Sequence, residues 1–269
     1  MTDETVAAVA LSGVGKTFHP GRPEEVSALA GVDLTVAPGE FVSLIGPSGC
    51  GKSTLMRVVA DLEQPTSGTA TVFGKSPHAA RLDQDYGIAF QHAGLLPWRT
   101  VLANVELPLE LHGHSRVTRR SRARELLDLV GLRDFYRHRP HQLSGGMQQR
   151  VAIARALAEE PRLLLMDEPF GALDEMTRER MQAELVALCA RTGCAVVFVT
   201  HSIPEAVYLS HRVVVMSARP GRITRVVPID LPERTEDLRE DPRFFAAVTE
   251  VREALRGRVV AAVPPGAAG

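Results

Sequence analysis

Short apolar segments alternate with longer segments of helical spacing along most of the chain. Strand-like segments, bounded by glycine, proline or polar residues, cover residues 6–11, 26–45, 163–166 and 195–199. Helical spacing covers residues 52–60 and 174–189. Strands that alternate with helices in this way indicate an α/β fold with a largely parallel sheet. Such sheets bind ligands at the carboxyl ends of their strands.

Two further regions have a helical pattern without intervening strands. In the first, residues 92–160, the apolar residues Leu126, Leu127 and Val130 share one face of a helix that Gly131 is placed to end. We expect this region to be an inserted helical subdomain. The second, residues 242–256, predicts an amphipathic helix whose apolar positions are Phe244, Phe245, Val248, Val251 and Leu255. Residues 264–269 predict a frayed tail.

Composition narrows the classes of protein that this sequence can encode. The 269 residues carry a net charge of −1, whereas dedicated nucleic-acid binders usually have a basic excess. The longest apolar runs are far shorter than the ~18 residues of a membrane helix. Residues 1–9 lack the positive region of a signal peptide. Three cysteines without paired spacing predict neither a disulfide framework nor a zinc site, so we expect a soluble, cytosol-facing protein.

A phosphate-binding loop is the strongest local motif. It follows the predicted strand 41–45, precedes the predicted helix, and consists of Gly46, Pro47, Ser48, Gly49, Cys50, Gly51, Lys52 and Ser53, with Thr54 next along the helix. Glycines let backbone N–H groups converge on phosphate oxygens at a helix N-terminus. Lys52 is placed to bridge the β- and γ-phosphates, and the Ser53 hydroxyl to bind Mg²⁺. Cys50 is either a small packing side chain or a redox-sensitive thiol.

A second glycine- and lysine-containing segment, residues 12–17, is rejected as a phosphate loop. Ala10 stands where the leading glycine is required, and the surrounding pattern predicts a strand rather than a helix.

Two acids, Asp167 and Glu168, end the apolar strand 163–166. Asp167 at the strand end is placed to hold Mg²⁺ through water. Glu168 beside it is placed to orient and polarise the water that attacks a phosphate. A surface acid is the alternative interpretation of Glu168.

Three more features carry phosphate chemistry. Ser144 is a natural N-cap, and Gly145 and Gly146 expose N–H groups at a helix start, which predicts a second phosphate-binding terminus. His201 follows the strand 195–199 closely enough to reach a γ-phosphate, with a structural histidine as the alternative. Gln91 ends the short run 88–90, where its amide can contact Mg²⁺ and the water.

At these residues the sequence resembles the ATPase subunits of ATP-binding-cassette (ABC) transporters, over about residues 9–222. In the family's terms the matching segments are Walker A at 46–53, the Q-loop at Gln91, the signature at 143–147, Walker B at 163–168, the D-loop at 172–174 and the switch histidine at His201. The resemblance implies a P-loop NTPase fold with an antiparallel β portion at the N-terminus. It implies an ATPase domain over 5–240, with residues 241–269 as a C-terminal helix and disordered tail.

The resemblance also implies how nucleotide is bound. Phe18 matches the aromatic residue that stacks on adenine, with core packing as the alternative, and Asp174 belongs to the D-loop. In this family the signature acts on ATP held by the other subunit, which implies a head-to-tail homodimer that binds ATP and Mg²⁺. Met147 departs from the glutamine of the widest consensus, while Ser144 and Gly146, which face phosphate, are intact.

Within the family, residues 94–98, 147–151 and 167–174 resemble the nitrate/sulfonate/taurine importers. This resemblance implies separate transmembrane permease subunits and, indirectly, a periplasmic or lipid-anchored solute-binding protein, with no nucleic-acid partner. It implies a peripheral position on the cytoplasmic face of the inner membrane. The lone tryptophan, Trp98, is interpreted either as a permease contact or as core packing. A small-molecule P-loop kinase and a non-transport cassette protein are the alternative functions.

Overall fold

A computed structural model describes residues 6–231, 234 and 236–257, so the predicted tail at 264–269 lies outside the described residues. The strands are β1 Val9–Phe18, β2 Val26–Val36, β3 Phe41–Ile45, β4 Ser67–Val72, β5 Tyr86–Ala89, β6 Leu163–Asp167, β7 Ala195–Val199, β8 Arg212–Met216 and β9 Ile223–Pro228. The α-helices are α1 Lys52–Val59, α2 Pro77–Leu82, α3 Val101–Leu111, α4 Arg116–Leu129, α5 Gly145–Ala156, α6 Glu175–Thr192, α7 Ile203–Leu209 and α8 Pro242–Leu255. Short 3₁₀ turns occupy Arg133–Phe135, Pro140–Gln142 and Glu236–Glu240.

A six-stranded sheet in the order β5-β6-β7-β3-β8-β9 forms the centre of the fold. All neighbouring pairs are parallel except β8 with β9. Strand β6 is buried along its whole length because both faces of the sheet are covered. Leu164 and Met166 face one core cluster, and Leu163 and Leu165 face the other. The predicted α/β fold with a mainly parallel sheet is confirmed.

A separate antiparallel sheet in the order β2-β1-β4 lies near the N-terminus, as the resemblance implied. Strand β1 runs through residues 12–17, so the segment rejected as a phosphate loop is indeed a strand. Its lysine, Lys16, pairs with Glu63 at 2.8 Å. Strand β4 was not predicted, because its small and polar residues form no apolar run. Most of its length is accessible to solvent.

The central region forms helices α3, α4 and α5. Leu126, Leu127 and Val130 are buried on one face of α4, and Gly131 follows with a φ of 68°, which favours glycine. Beside this face, four residues before Leu126, Arg122 pairs with Glu125 at 2.9 Å and Glu160 at 3.3 Å. Arg122 therefore makes local ion pairs at the edge of the buried stripe, with its side chain 19% exposed.

Helix α8 packs against α7 and β8 through Phe244, Val248 and Val251. The prediction that Phe245 shares this apolar face is wrong, since its side chain is 58% exposed. One residue advances the helix by about 100°, which turns Phe245 away from the stripe of Phe244, Val248 and Val251. No helix within the described ranges has the length and apolar character needed to cross a membrane.

Candidate active site

The phosphate loop connects the end of β3 to the start of α1. Gly49 and Gly51 have φ values of 74° and 102°, which L side chains rarely adopt. A Cβ atom on Gly51 would also lie 2.8 Å from the Ala28 carbonyl oxygen. The chain therefore needs glycine at both positions to turn tightly between the buried strand and the helix.

Lys52 is the first residue of α1 and lies over the loop that precedes it. Its side chain is mostly buried, and its ammonium donates to the carbonyl oxygens of Gly46 at 2.8 Å and Pro47 at 3.1 Å. The Cys50 thiol lies 3.6 Å from the same nitrogen and is itself buried. This burial favours the packing interpretation of Cys50. The loop holds one positive charge where phosphates would lie.

Ser53 and Asp167 bring two oxygen ligands together below the loop. The Ser53 hydroxyl donates to the Asp167 carboxylate at 3.1 Å. Burial raises the pKa of Asp167, and the hydrogen bond from Ser53 opposes that rise to a smaller extent. A buried carboxylate beside a hydroxyl is a donor set that suits Mg²⁺, which prefers oxygen ligands and relieves the burial of negative charge.

Glu168 receives contacts from two side chains at neighbouring strand ends. His201 Nδ1 lies 3.2 Å from Glu168 Oε2, and the Gln91 amide donates to the same oxygen at 3.4 Å. The Glu168 backbone has a φ of 47°, a left-handed conformation that costs about 1–3 kcal/mol for a residue other than glycine. Its N–H donates to the Val199 carbonyl at 2.9 Å, which fixes that conformation against β7. The ends of β5, β6 and β7 thus converge on one carboxylate.

A cavity of about 760 Å³ joins this carboxylate to the phosphate loop. Ten of the residues that line this cavity were predicted from the sequence as site residues: Phe18, Ser48, Gly49, Gly51, Lys52, Ser53, Thr54, Gln91, Glu168 and His201. Phe18 is half-buried, with the Lys16 ammonium 4.9 Å from its ring centroid, so the ring reaches the cavity rather than the core. The structure therefore brings these ten predicted residues together.

The cavity has four more lining residues that the sequence analysis missed: His19, Val26, Ala28 and Arg219. Val26 lies opposite Phe18 in the β1–β2 register, so a correct pairing of these strands would have revealed it. Arg219 lies on the turn between β8 and β9. No local pattern indicates that this turn reaches the nucleotide cavity.

The turn between β8 and β9 braces the phosphate loop through Gly221. Its N–H donates to the Ala28 carbonyl at 2.9 Å, and its own carbonyl accepts from the Ala30 N–H at 3.0 Å. A Cβ atom on Gly221 would lie 2.0 Å from the Cys50 carbonyl oxygen, closer than atoms can approach. A methyl group at this position must displace either the turn or the phosphate loop.

We expect Gly221→Ala to weaken ATP binding about tenfold, because forced overpacking of ~1–3 kcal/mol falls on the loop that holds the phosphates. Titration with a fluorescent ATP analogue measures this loss. Ala218→Ser, on the same turn but exposed, is the matched control and should bind normally. Normal affinity in folded Gly221→Ala protein would show that the turn does not brace the loop.

Ser144, Gly145, Gly146 and Asp174 are not among the residues that line this cavity. Ser144 caps α5 by accepting from the Met147 N–H at 3.2 Å, and Asp174 caps α6 by accepting from the Thr177 N–H at 3.0 Å. A Cβ atom on Gly146 would lie 2.9 Å from the Ala172 carbonyl oxygen, so the start of α5 packs against the segment that leads to Asp174. The two predicted groups therefore form a second surface of the same chain.

A glycine loop between a parallel strand and a helix, with an aspartate that ends another parallel strand of the same sheet and a glutamate directly after it, defines a P-loop nucleotide hydrolase. Residues 29–171, more than half of the chain, match the family described as ABC transporter. The chain belongs to this family. The family, the P-loop fold class and the ATPase class predicted from the sequence are confirmed.

Three relatives illustrate the similarity. The nitrate import ATP-binding protein NrtD of Synechocystis is 46% identical over 88% of this chain and 91% of its own length. The taurine import ATP-binding protein TauB of Yersinia pestis is 42% identical, with shares of 93% and 96%. A solved dimeric structure of the ATP-binding cassette MJ0796, in a post-hydrolysis state with ADP and Pi, is 39% identical with a TM-score of 0.76. That match covers 82% of this chain and 99% of the solved one.

Proposed function

We propose that this chain is the ATP-hydrolysing subunit of a bacterial importer for nitrate, sulfonates, taurine or a related small solute. The observation that carries the proposal is the convergence of Glu168, Gln91 and His201 beside the phosphate loop. The names of two similar proteins, a nitrate and a taurine import ATP-binding protein, support the direction of transport and the class of solute.

The predicted site residues have distinct roles in hydrolysis. Lys52 and the loop N–H groups hold the β- and γ-phosphates, and Thr54 continues the N–H series at the helix start. Phe18 stacks on the adenine. Ser53, Gln91 and Asp167 would hold Mg²⁺, which supplies charge neutralisation on the phosphate oxygens when bound. Glu168 orients and polarises the attacking water, and His201 contacts the γ-phosphate from the adjacent strand end.

The site is completed by a second copy of the chain. Ser144, Gly145, Gly146 and Asp174 lie outside their own cavity but supply a helix start, capped by Ser144 itself, and a carboxylate. Helix starts bind phosphate through N–H groups and the helix dipole. The solved MJ0796 cassette is dimeric, which supports a head-to-tail homodimer with ATP between one phosphate loop and the partner's α5 start.

A groove of about 350 Å³ lies between β5 and the helical region and is the proposed docking surface for the permease. It is lined mainly by apolar side chains, among them Tyr86, Ile88, Phe90, Leu107 and Pro108. The permease would insert a short cytoplasmic helix there, as the resemblance implies. Phe90, which lines the groove, directly precedes Gln91 of the nucleotide cavity, so a helix in the groove would contact the chain one residue before that site.

The chain on either side of Gln91 is hydrogen-bonded to helix α5. Arg155 on α5 donates to the carbonyls of Ala93 and Gly94 at 2.8 and 2.9 Å. The amide of buried Gln149 donates to the Phe90 carbonyl at 2.8 Å. Helix α5 also carries Ser144 at its start, so ATP-driven closure of the dimer would move the groove and the loop together.

Trp98 lies on this loop with its side chain 67% exposed. The core-packing interpretation of Trp98 is therefore wrong. A large exposed aromatic on a fixed loop is typical of an interface hot spot. This placement supports Trp98 as a permease contact.

We expect Trp98→Ala to leave folding and basal ATP hydrolysis intact but to lower recovery with permease-containing membranes at least ~10-fold, the loss of one hot spot. Phe245→Ala removes another exposed aromatic, on α8, and serves as the matched control. Co-sedimentation with membranes and ATP-dependent uptake are the measurements. Normal membrane recovery of the Trp98 variant would exclude Trp98 from the interface.

The remaining assignments follow from an importer. The chain would bind peripherally at the cytoplasmic face of the inner membrane and meet a periplasmic or lipid-anchored solute-binding protein only through the permease. Residues 5–240 would form the ATPase domain with its helical subdomain at 92–160, and residues 241–269 the C-terminal extension.

The importer function is tested by reconstituting the chain with its co-purified permease in vesicles. ATP inside the vesicles should drive accumulation of labelled nitrate or taurine, supplied with the solute-binding protein. Failure of any membrane protein to co-purify with the chain, or transfer of phosphate to a small acceptor, would contradict the proposal.

A further inference from the structure

A buried chain of polar side chains lies beneath His201. The Thr200 hydroxyl hydrogen-bonds to one oxygen of the Glu205 carboxylate, and the Gln182 amide donates to the other at 3.0 Å. The Arg239 guanidinium then donates to the Gln182 carbonyl oxygen at 2.5 Å. Thr200, Gln182 and Glu205 are all at least nine-tenths buried. The chain links the end of β7 to α7, α6 and the 3₁₀ turn before α8.

The chemistry of the neighbouring groups determines how the Gln182 amide is oriented. A carboxylate only accepts hydrogen bonds and a guanidinium only donates them, so Gln182 bridges Glu205 and Arg239 through its N–H on one side and its oxygen on the other. Burial raises the pKa of Glu205, and the hydrogen bonds from Thr200 and Gln182 oppose that rise. A buried carboxyl group in this position depends on both partners.

Thr200 connects these buried side chains to the backbone on either side of His201. The Thr200 hydroxyl also accepts from the Ser202 N–H at 3.0 Å, so one hydroxyl ties together the two residues that flank His201. The His201 side chain is 69% exposed, and within the part of the chain that the structure describes its hydrogen-bonding partner is Glu168 alone. The position of the imidazole is therefore set mainly by the backbone turn beneath it.

Arg239 is the last in this series of hydrogen-bonded side chains, and two further contacts hold it in place. Its guanidinium carbon lies 3.8 Å from the Tyr208 ring centroid, and its Nε lies 3.3 Å from a Glu179 carboxylate oxygen. Stacking on an aromatic ring and pairing with a carboxylate hold a guanidinium in one orientation. The 3₁₀ turn Glu236–Glu240 therefore fixes the Gln182 amide on α6.

We propose that Glu205 is a positioning residue for ATP hydrolysis, which holds the Thr200–Ser202 turn so that His201 meets the γ-phosphate. Gln182 and Arg239 keep Glu205 in place. This inference rests on the proposed role of His201 at the nucleotide. It gives the turn Glu236–Glu240 an indirect part in turnover, although this turn does not line the nucleotide cavity.

Two substitutions of Thr200 test the hydroxyl directly. Thr200→Val keeps the shape but removes the hydroxyl, and we expect kcat to fall ~10–100-fold, as for a misplaced catalytic group, while affinity for a fluorescent ATP analogue stays within about twofold. Thr200→Ser keeps the hydroxyl and should retain most of kcat. Equal loss of kcat in both variants, or none in either, would overturn the proposal.

An exchange of groups tests Glu205 itself. Glu205→Gln alone places an amide donor against the Gln182 amide donor, and Gln182→Glu alone places two carboxylates together, so each should lose kcat. The double variant Glu205→Gln/Gln182→Glu restores every donor–acceptor pair, because the amide at 205 accepts from Thr200 and donates to the carboxylate at 182. We expect the double variant to recover kcat to within about threefold of wild type, a non-additive result that distant sites do not give. A double variant that folds, as judged by thermal unfolding, but is as slow as either single variant would refute the positioning role.

His201→Ala distinguishes the proposed role of His201 from the positioning role of Glu205. If His201→Ala leaves kcat unchanged, the proposed role of His201 fails. If His201→Ala abolishes turnover while Thr200→Val and the exchange variants behave as wild type, only the positioning chain fails.

Discussion

Glu168→Gln should bind ATP normally and hydrolyse it at least ~10²-fold more slowly than wild type, the usual contribution of a general base. The amide keeps the shape and the contacts that Gln91 and His201 make, but it carries no negative charge to polarise a water. Slow hydrolysis should leave an ATP-bound dimer that persists through gel filtration. Single-turnover kinetics and the dimer fraction with ATP are the two measurements.

The matched control is Glu160→Gln. Glu160 is also a glutamate with positive φ, at 51° against 47° for Glu168, but it pairs with Arg122 on the helical subdomain. It should hydrolyse ATP at the wild-type rate. Turnover by Glu168→Gln at a near-normal rate would assign the base to another group, and loss of ATP binding would show that Glu168 is structural.

Features that depend on short segments of sequence could be predicted, whereas features that depend on contacts between distant segments could not. The phosphate loop and the Asp167–Glu168 pair are predicted because fixed residue types occur beside an apolar strand and a helix start. The convergence of Gln91, Glu168 and His201 follows because parallel strands place their carboxyl ends at one edge. Those inferences need only short segments and the order of the strands.

The missed features depend on packing between segments distant in sequence. Arg219 and Gly221 reach the nucleotide site because the β8–β9 turn folds over the phosphate loop, which neither segment signals alone. Glu205 and Gln182 occupy ordinary helix positions, and only the tertiary fold joins them beneath His201. Phe245 shows the reverse error, in which an apolar residue next to a buried stripe was assigned to it.

Ser144→Arg should abolish hydrolysis while leaving the ATP affinity of the monomer unchanged. Ser144 is exposed and is not among the residues that line its own chain's cavity, so a bulky cation there leaves the phosphate loop intact. In a head-to-tail dimer the same arginine would occupy the partner's γ-phosphate site. Ser115→Arg is the matched control, because Ser115 is also an exposed N-cap, for α4, and its loss carries the same helix cost of about 1 kcal/mol.

Mixing two inactive variants separates a shared site from a site within one chain. Lys52→Ala lacks nucleotide binding but keeps a normal α5 start, whereas Ser144→Arg keeps its phosphate loop. A mixed dimer has one site with both halves intact and one with neither. Random pairing makes half of the dimers mixed, with one working site of two, so activity should return to about a quarter of wild type. Two variants that each impair a site within a single chain cannot restore it in any mixture. A mixture that stays inactive although the mixed dimer forms would place Ser144 in its own chain's site. Ser144→Arg protein that loses ATP binding as fully as Lys52→Ala would lead to the same conclusion. Either result would remove the reason for a head-to-tail dimer.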